Sequence, residues 1–179
     1  MMELVLGIDP GAHGAAALLA PRPGGEVPAL LAVAPLPGRP EAVGTTNRRK
    51  TVVLDGFALV ALLRGWERKH DGAILRIVIE RVSALPKDRA PQAFAFGRAY
   101  GAVRAIAEAH GADVTTVPVS VWRAVAGVLV PDAERNRTAL KTACRARAAE
   151  IWPDRANWFK RVKDTDAAEA ALIGLSGVE

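Results

Sequence analysis

The order in which short apolar runs occur along the chain limits its fold more than any other feature. Residues 4–8 (Leu-Val-Leu-Gly-Ile), 15–20 and 27–34 are apolar runs separated by Asp-Pro-Gly at 9–11 and Pro-Arg-Pro-Gly-Gly-Glu at 21–26. Runs this short, bounded by proline and glycine, read as buried strands in an antiparallel meander. Beyond residue 55 the period changes. Asp55 can cap a helix whose apolar face is Leu59, Leu62, Leu63 and Trp66. A β-branched strand follows at 73–79 and ends at Glu80, then a long helix at 91–110 stopped by Gly111, then a fifth strand at 113–117. Ser120 is placed to cap a helix holding Trp122; further helices are predicted at 136–151, ended by Trp152-Pro153, and at 165–175. Three strands, then alternating helix and strand, then helices, predict an α/β layered domain. Residues 35–51 break into proline, glycine and polar residues around Arg48, Arg49 and Lys50, which predicts a mobile basic loop at about 37–51. No repeat or interdomain linker interrupts the pattern, so residues 1–179 are expected to form a single domain.

Composition narrows the function classes. Half of the residues are hydrophobic and 24% charged, enough for a packed core and too apolar for disorder. Lys and Arg number 24 against 19 Asp and Glu, a net charge of +5, which favours a polyanionic partner without naming it. A single cysteine, Cys144, excludes an internal disulfide framework, and with only His13, His70 and His110 no zinc signature remains. The N-terminus has an acid at Glu3 and no basic leader. The longest apolar stretch, 27–36, is broken by Pro28 and Pro35. A soluble, cytoplasmic protein is expected, with no membrane contact.

Three acidic positions stand where chemistry could sit. Asp9 leaves the first strand just before Pro-Gly, where a turn aspartate and a functional carboxylate explain it equally well. Glu80 ends the fourth strand without a turn signature; its structural alternative is an ion pair to Arg81 or Arg76. Asp166 and Glu169, three apart at a helix start, lie on nearly the same face, and taken alone they read best as capping and dipole chemistry. Together the acids are better explained by metal. Carboxylates converging on one rim repel and stay partly protonated unless a divalent cation neutralises them. Oxygen donors without His or Cys suit Mg²⁺, with Mn²⁺ able to substitute.

These residues resemble a family. Gly7-Ile8-Asp9-Pro10-Gly11, Val78-Ile79-Glu80-Arg81 and Asp166-Ala167-Ala168-Glu169-Ala170 are similar to the three acidic motifs of RuvC-type Holliday junction resolvases. Residues 80–86, 94–101 and 117–123 resemble more particularly a phage and prophage branch of that family, and the resemblance spans residues 4–174. It implies an RNase H-like fold, with a five-stranded mixed sheet and helices on both faces, acting as a homodimer on branched DNA without a small-molecule cofactor. It implies that Asp9, Glu80, Asp166 and Glu169 hold metal, with Asp9 bridging, and that paired nicks arise by two-metal hydrolysis of a four-way junction. The register around Asp164-Thr165-Asp166 leaves Asp164 as an alternative or additional ligand. The fourth acid is a glutamate, one methylene longer than the aspartate common in bacterial members.

Ten Lys or Arg against four acids lie between Ser120 and Lys163, and Arg137, Lys141 and Arg145 recur every four residues. Like charges at that spacing repel, and a phosphate backbone relieves them, so DNA contact is preferred over a solvated stripe. Lys163, beside the acids, and Arg48, Arg49 and Lys50 are further candidate DNA contacts. Phe94 and Phe96 invite base stacking by resemblance but read more simply as core. Gly97 and Gly101, in register with Ala93 and Ala105, permit close helix approach onto the sheet or across a dimer. Trp122 reads as core and His13 as incidental. Rival readings are another RNase H-like nuclease acting on RNA or simpler branched DNA, and a non-cleaving junction-binding protein. An actin-like kinase is set aside because the chain is too short for two lobes.

Overall fold

The computed structural model describes residues 2–11, 14–43, 49–83, 89–131 and 136–178. The candidate residues Arg48 and His13 lie outside them. Strands β1 (Met2–Asp9), β2 (Ala15–Ala20) and β3 (Ala29–Pro35) form the expected antiparallel meander, and β3 starts beyond Pro28 rather than at Val27. A hairpin follows, β4 (Gly38–Val43) and β5 (Arg49–Leu54), then helix α1 (Gly56–His70), strand β6 (Gly72–Arg81), helix α2 (Ala90–His110) and strand β7 (Asp113–Pro118). Helices α3 (Val119–Ala126), α4 (Arg137–Ile151) and α5 (Thr165–Leu175) complete the chain. The main sheet has the order β3-β2-β1-β6-β7, antiparallel through β1 and parallel across β1, β6 and β7.

Alternation along the strands divides the core in two. Leu4, Leu6, Ile8, Ile77 and Ile79 face α1 and α2, where Leu59, Leu63, Trp66, Val103 and Ala107 cover them. Val5, Val78 and Val117 face the other way, onto Trp122 of α3, Cys144 and Ala148 of α4, and the apolar residues of α5. Helices therefore lie on both faces of a five-stranded mixed sheet, the arrangement that the family resemblance implied. Gly7 makes the second layer thin. A Cβ at residue 7 would run into the backbone of Ala170 and Gly174, so α5 rests on β1 at a distance only glycine allows. Asp55 caps α1 as expected and Asn136 caps α4, their side chains accepting from the N–H of Ala58 and Ala139 at 3.0 and 2.9 Å.

Three expectations are corrected. Residues 37–51 are not simply a mobile basic loop: 38–43 pair with 49–54 as an antiparallel ribbon. Proline and glycine hid it, but each strand of a two-stranded ribbon has an open edge where a missing N–H is tolerated. Leu36 and Leu54 pack on the α1–α2 core, and Arg98 of α2 donates to Glu41 at 2.7 Å, long-range contacts that no local pattern announces. Ser120 does not cap α3; Pro118, extended at φ −64 and ψ 150, precedes the helix and Ser120 sits inside it. Phe94 is not core. It is 73% exposed, because α2 buries side chains only in its C-terminal half, at Val103 and Ala107. Gly97 and Gly101 are likewise exposed, and a Cβ on either would meet nothing within 4 Å, so their stripe does not pack on the sheet. Trp122 is fully buried, as predicted. No helix among the described residues is long and apolar enough to cross a membrane.

Candidate functional site

Parallel pairing of β1 with β6 sets Ile8 opposite Ile79, so both strands end at one edge of the sheet. Ile8 and Ile79 point to the α1–α2 side, and alternation sends the next residues, Asp9 and Glu80, to the α5 side. Helix α5 begins over that same edge. Its Asp166 and Glu169, three residues apart, face the strand ends. Asp9, Asp166 and Glu169 each offer a carboxylate oxygen, all within 4.8 Å of one another. Glu80 adjoins them closely enough that Asp9 and Glu169 both act on its charge.

Packing on this edge makes the acids unusual. The Asp9 carboxyl is pushed up to about 7, by burial first and then by the charges of Glu169 and Asp166, against the opposing pull of the Gly11 N–H, which donates to it at 3.1 Å, and of the Lys141 charge. Glu80 is likewise raised to about 7, chiefly by burial and then by the charges of Asp9 and Glu169, with Arg123 opposing. Glu169 is raised as well, chiefly by burial. Such a group of carboxylates has the chemistry of a hard-cation site: oxygen donors only, crowded and poorly solvated, with a residual negative charge that a divalent ion would neutralise.

Asp164 separates from this group. Its side chain accepts from the Arg161 backbone N–H at 2.8 Å and from the Arg161 guanidinium at 3.0 Å, and that guanidinium holds its carboxyl below the usual range. The reciprocal contact closes a 3₁₀ turn at Val162–Asp164, just before α5. The ambiguity between Asp164 and Asp166 is therefore a matter of helix phase: Asp164 locks the entry to α5, and Asp166 turns toward Asp9.

The predicted basic stripe splits into three different environments. Arg137 is exposed at the start of α4. Lys141 turns inward, its Nζ 3.5 Å from Asp166 Oδ1. Arg145 donates to Thr165 Oγ1 at 2.8 Å and to Thr142 Oγ1 at 3.2 Å, which fastens α4 to the first residue of α5. Lys163 is exposed on the 3₁₀ turn. Arg49 and Lys50 lie in β5 of the hairpin.

Two residues of this site escaped the sequence reading. Arg123 of α3 reaches Glu169 at 3.7 Å and stacks over the Trp122 ring at 5.1 Å. The available signal was that Arg123 is the one charged residue in an otherwise uncharged helix beside a buried tryptophan. Cys144 is buried on α4 against the same glutamate, and burial together with the Glu169 charge pushes its thiol up to about 12. A cavity of about 380 Å³ lies over the acids, lined by Glu80, Arg123, Asn136, Arg137, Leu140, Lys141 and Glu169. A larger groove of about 1010 Å³ runs from Gly11 and Val82 between the β4–β5 hairpin and α2, past Phe96 and Tyr100. Acids at the floor, cations on the wall and an adjacent groove can hold a divalent ion and a phosphodiester together.

No protein-family model matches the sequence, and neither does any curated protein. Solved structures do. RuvC of T. thermophilus in complex with a Holliday junction substrate is 18% identical, with a TM-score of 0.57 over 97% of this chain and 91% of that one. A second Thermus thermophilus RuvC structure is 19% identical, with a TM-score of 0.54 over 95% and 92%. The likeness extends over nearly the full length of both chains, and the fold is therefore the RNase H-like fold of RuvC.

Proposed function

We propose that this chain is a metal-dependent, structure-selective DNA endonuclease that resolves four-way junctions by paired nicks. The observation that carries the reading is the convergence of Asp9, Asp166 and Glu169, with Glu80 beside them, at the strand ends of a RuvC-like fold. Mg²⁺ is the ion such a donor set favours, and Mn²⁺ is expected to replace it. Bound divalent ions supply the charge that activates water and stabilises a departing 3′ oxygen. The chain's own residues do the rest. Asp9, reaching in from the central strand, would hold the metal together with Glu80, Asp166 and Glu169. Arg123, pinned by Trp122 and Glu169, fixes the glutamate and adds positive charge beside the cavity. Arg137 on the cavity wall is placed to take a phosphate oxygen, and Lys163, Arg48, Arg49 and Lys50 are further backbone contacts.

The same reading takes residues 1–179 as one nuclease domain of the phage-like branch, acting in the cytoplasm. It also takes the protein as a homodimer, because two opposite strands need two sites. Exposed Gly97, Gly101 and Phe94 on α2 offer a face for close approach of a second copy. A cleavage panel tests the function: a synthetic four-way junction, a flap, an RNA–DNA hybrid and a linear duplex, each with Mg²⁺ and with Mn²⁺. The junction is expected to be cut in opposite strands and the linear duplex spared. Preferential cutting of the hybrid or flap would transfer the chain to another RNase H-like activity, and tight junction binding without any nicking would make it a binding protein.

A further inference from the structure

The contact between Lys141 and Asp166 is not explained by metal binding, because an ammonium and a divalent ion compete for the same carboxylate. The cations around the site differ in freedom. Arg123 is held between Glu169 and the face of Trp122, and Arg145 is committed to Thr165 and Thr142. Among the described residues Lys141 makes one ion pair, at 3.5 Å to Asp166, and its charge also acts on Glu169 and Asp9; its side chain is 34% exposed and lines the cavity beside Glu80 and Glu169. An unbranched stem with a compact ammonium re-aims easily, unlike a stacked guanidinium. The carboxylate it touches belongs to the group of three that converge within 4.8 Å.

We propose that Lys141 is a transferable cation: it neutralises Asp166 until a divalent ion takes that carboxylate, and it then pairs with a phosphate of the bound DNA. Metal and DNA affinity are thereby coupled through one side chain, and by linkage each raises the other. This inference rests on the metal-site reading above. Lys141 acts here as a positioning residue, so its signature lies in binding measurements rather than in turnover.

The test titrates the full-length protein with Mn²⁺ alone, following free Mn²⁺ by electron paramagnetic resonance, and compares the wild type with Lys141→Met and Lys141→Arg. Removing a unit charge a few ångströms from the ion should tighten Mn²⁺ binding by about tenfold in Lys141→Met, while Lys141→Arg stays near the wild type. Junction binding is then measured against salt in Ca²⁺ and in EDTA. Loss of one phosphate contact flattens the log–log slope by about 0.9. Lys141→Met should show that loss in Ca²⁺ and keep the wild-type slope in EDTA, where the lysine is engaged by Asp166. Unchanged Mn²⁺ affinity in Lys141→Met, equal tightening in Lys141→Arg, or the same slope change in both conditions would each overturn the proposal. Asp9→Asn in the same titration separates the two levels: wild-type Mn²⁺ binding by that variant would remove the metal site itself, whatever Lys141 does.

Discussion

At the scale of the residue, Asp9 and Glu80 are carboxyls that the fold keeps from ionising easily. Their ordinary values are 3.8 and 4.5, and burial with neighbouring acids moves both to about 7. Between those limits the folded chain binds more protons than the unfolded one, so its stability falls as pH rises from about 4 to 7. In EDTA the melting temperature is expected to drop by roughly 5 °C between pH 5 and pH 8. Mg²⁺ should remove most of that drop, because it pairs with the ionised forms, and Asp9→Asn should flatten it without metal. A melting temperature that rises over this interval in EDTA would contradict the site's electrostatics. Each acid was legible in the sequence because a charge at the end of an apolar strand, or paired at a helix start, stands out locally. The placement of the cations was not. The inward turn of Lys141 and the approach of Arg123 to Glu169 depend on how α3 and α4 pack around α5, which periodicity does not encode.

At the scale of the element, α5 is the piece that assembles the site, and its depth over the sheet is set by Gly7 and Gly174. Gly7→Ala puts a methyl against the backbone of Ala170 and Gly174, which should cost about 3 kcal/mol and lift the acids of α5 away from Asp9. Urea denaturation with Mn²⁺ titration checks both parts; a wild-type midpoint would mean that α5 does not rest on β1 as described. Elements with strong local signals were readable. Helix α5 was predicted at its observed bounds, α1 with its cap Asp55, and α4 close to its observed range. The β4–β5 hairpin was not, since its ribbon is held by Leu36 and Leu54 packing on the α1–α2 core and by the Glu41–Arg98 pair, contacts that no local pattern announces. Phe94 misled for the related reason that a helix can outrun the sheet beneath it. An aromatic residue signals burial only where a layer exists to bury it.

At the scale of the whole molecule, the net charge of +5 and the acid cluster have complementary places. The cations around the acids fall into distinct tasks: Arg145 joins α4 to α5, Arg161 closes the turn before α5, and Arg137 and Lys141 line the cavity. The basic excess is therefore not a uniform cradle. Part of it holds the acid-bearing helix in position, and part faces the space where a phosphate backbone can lie. Cutting of a branched DNA backbone is the activity proposed for the acids at this edge. Its most direct measurement is cleavage of a four-way junction labelled on each strand, with Mg²⁺, by the wild type and by Asp9→Asn. Symmetric nicks in two opposite strands are expected from the wild type, and undiminished junction binding with no cleavage from the variant. Nicking by Asp9→Asn at the wild-type rate would contradict it.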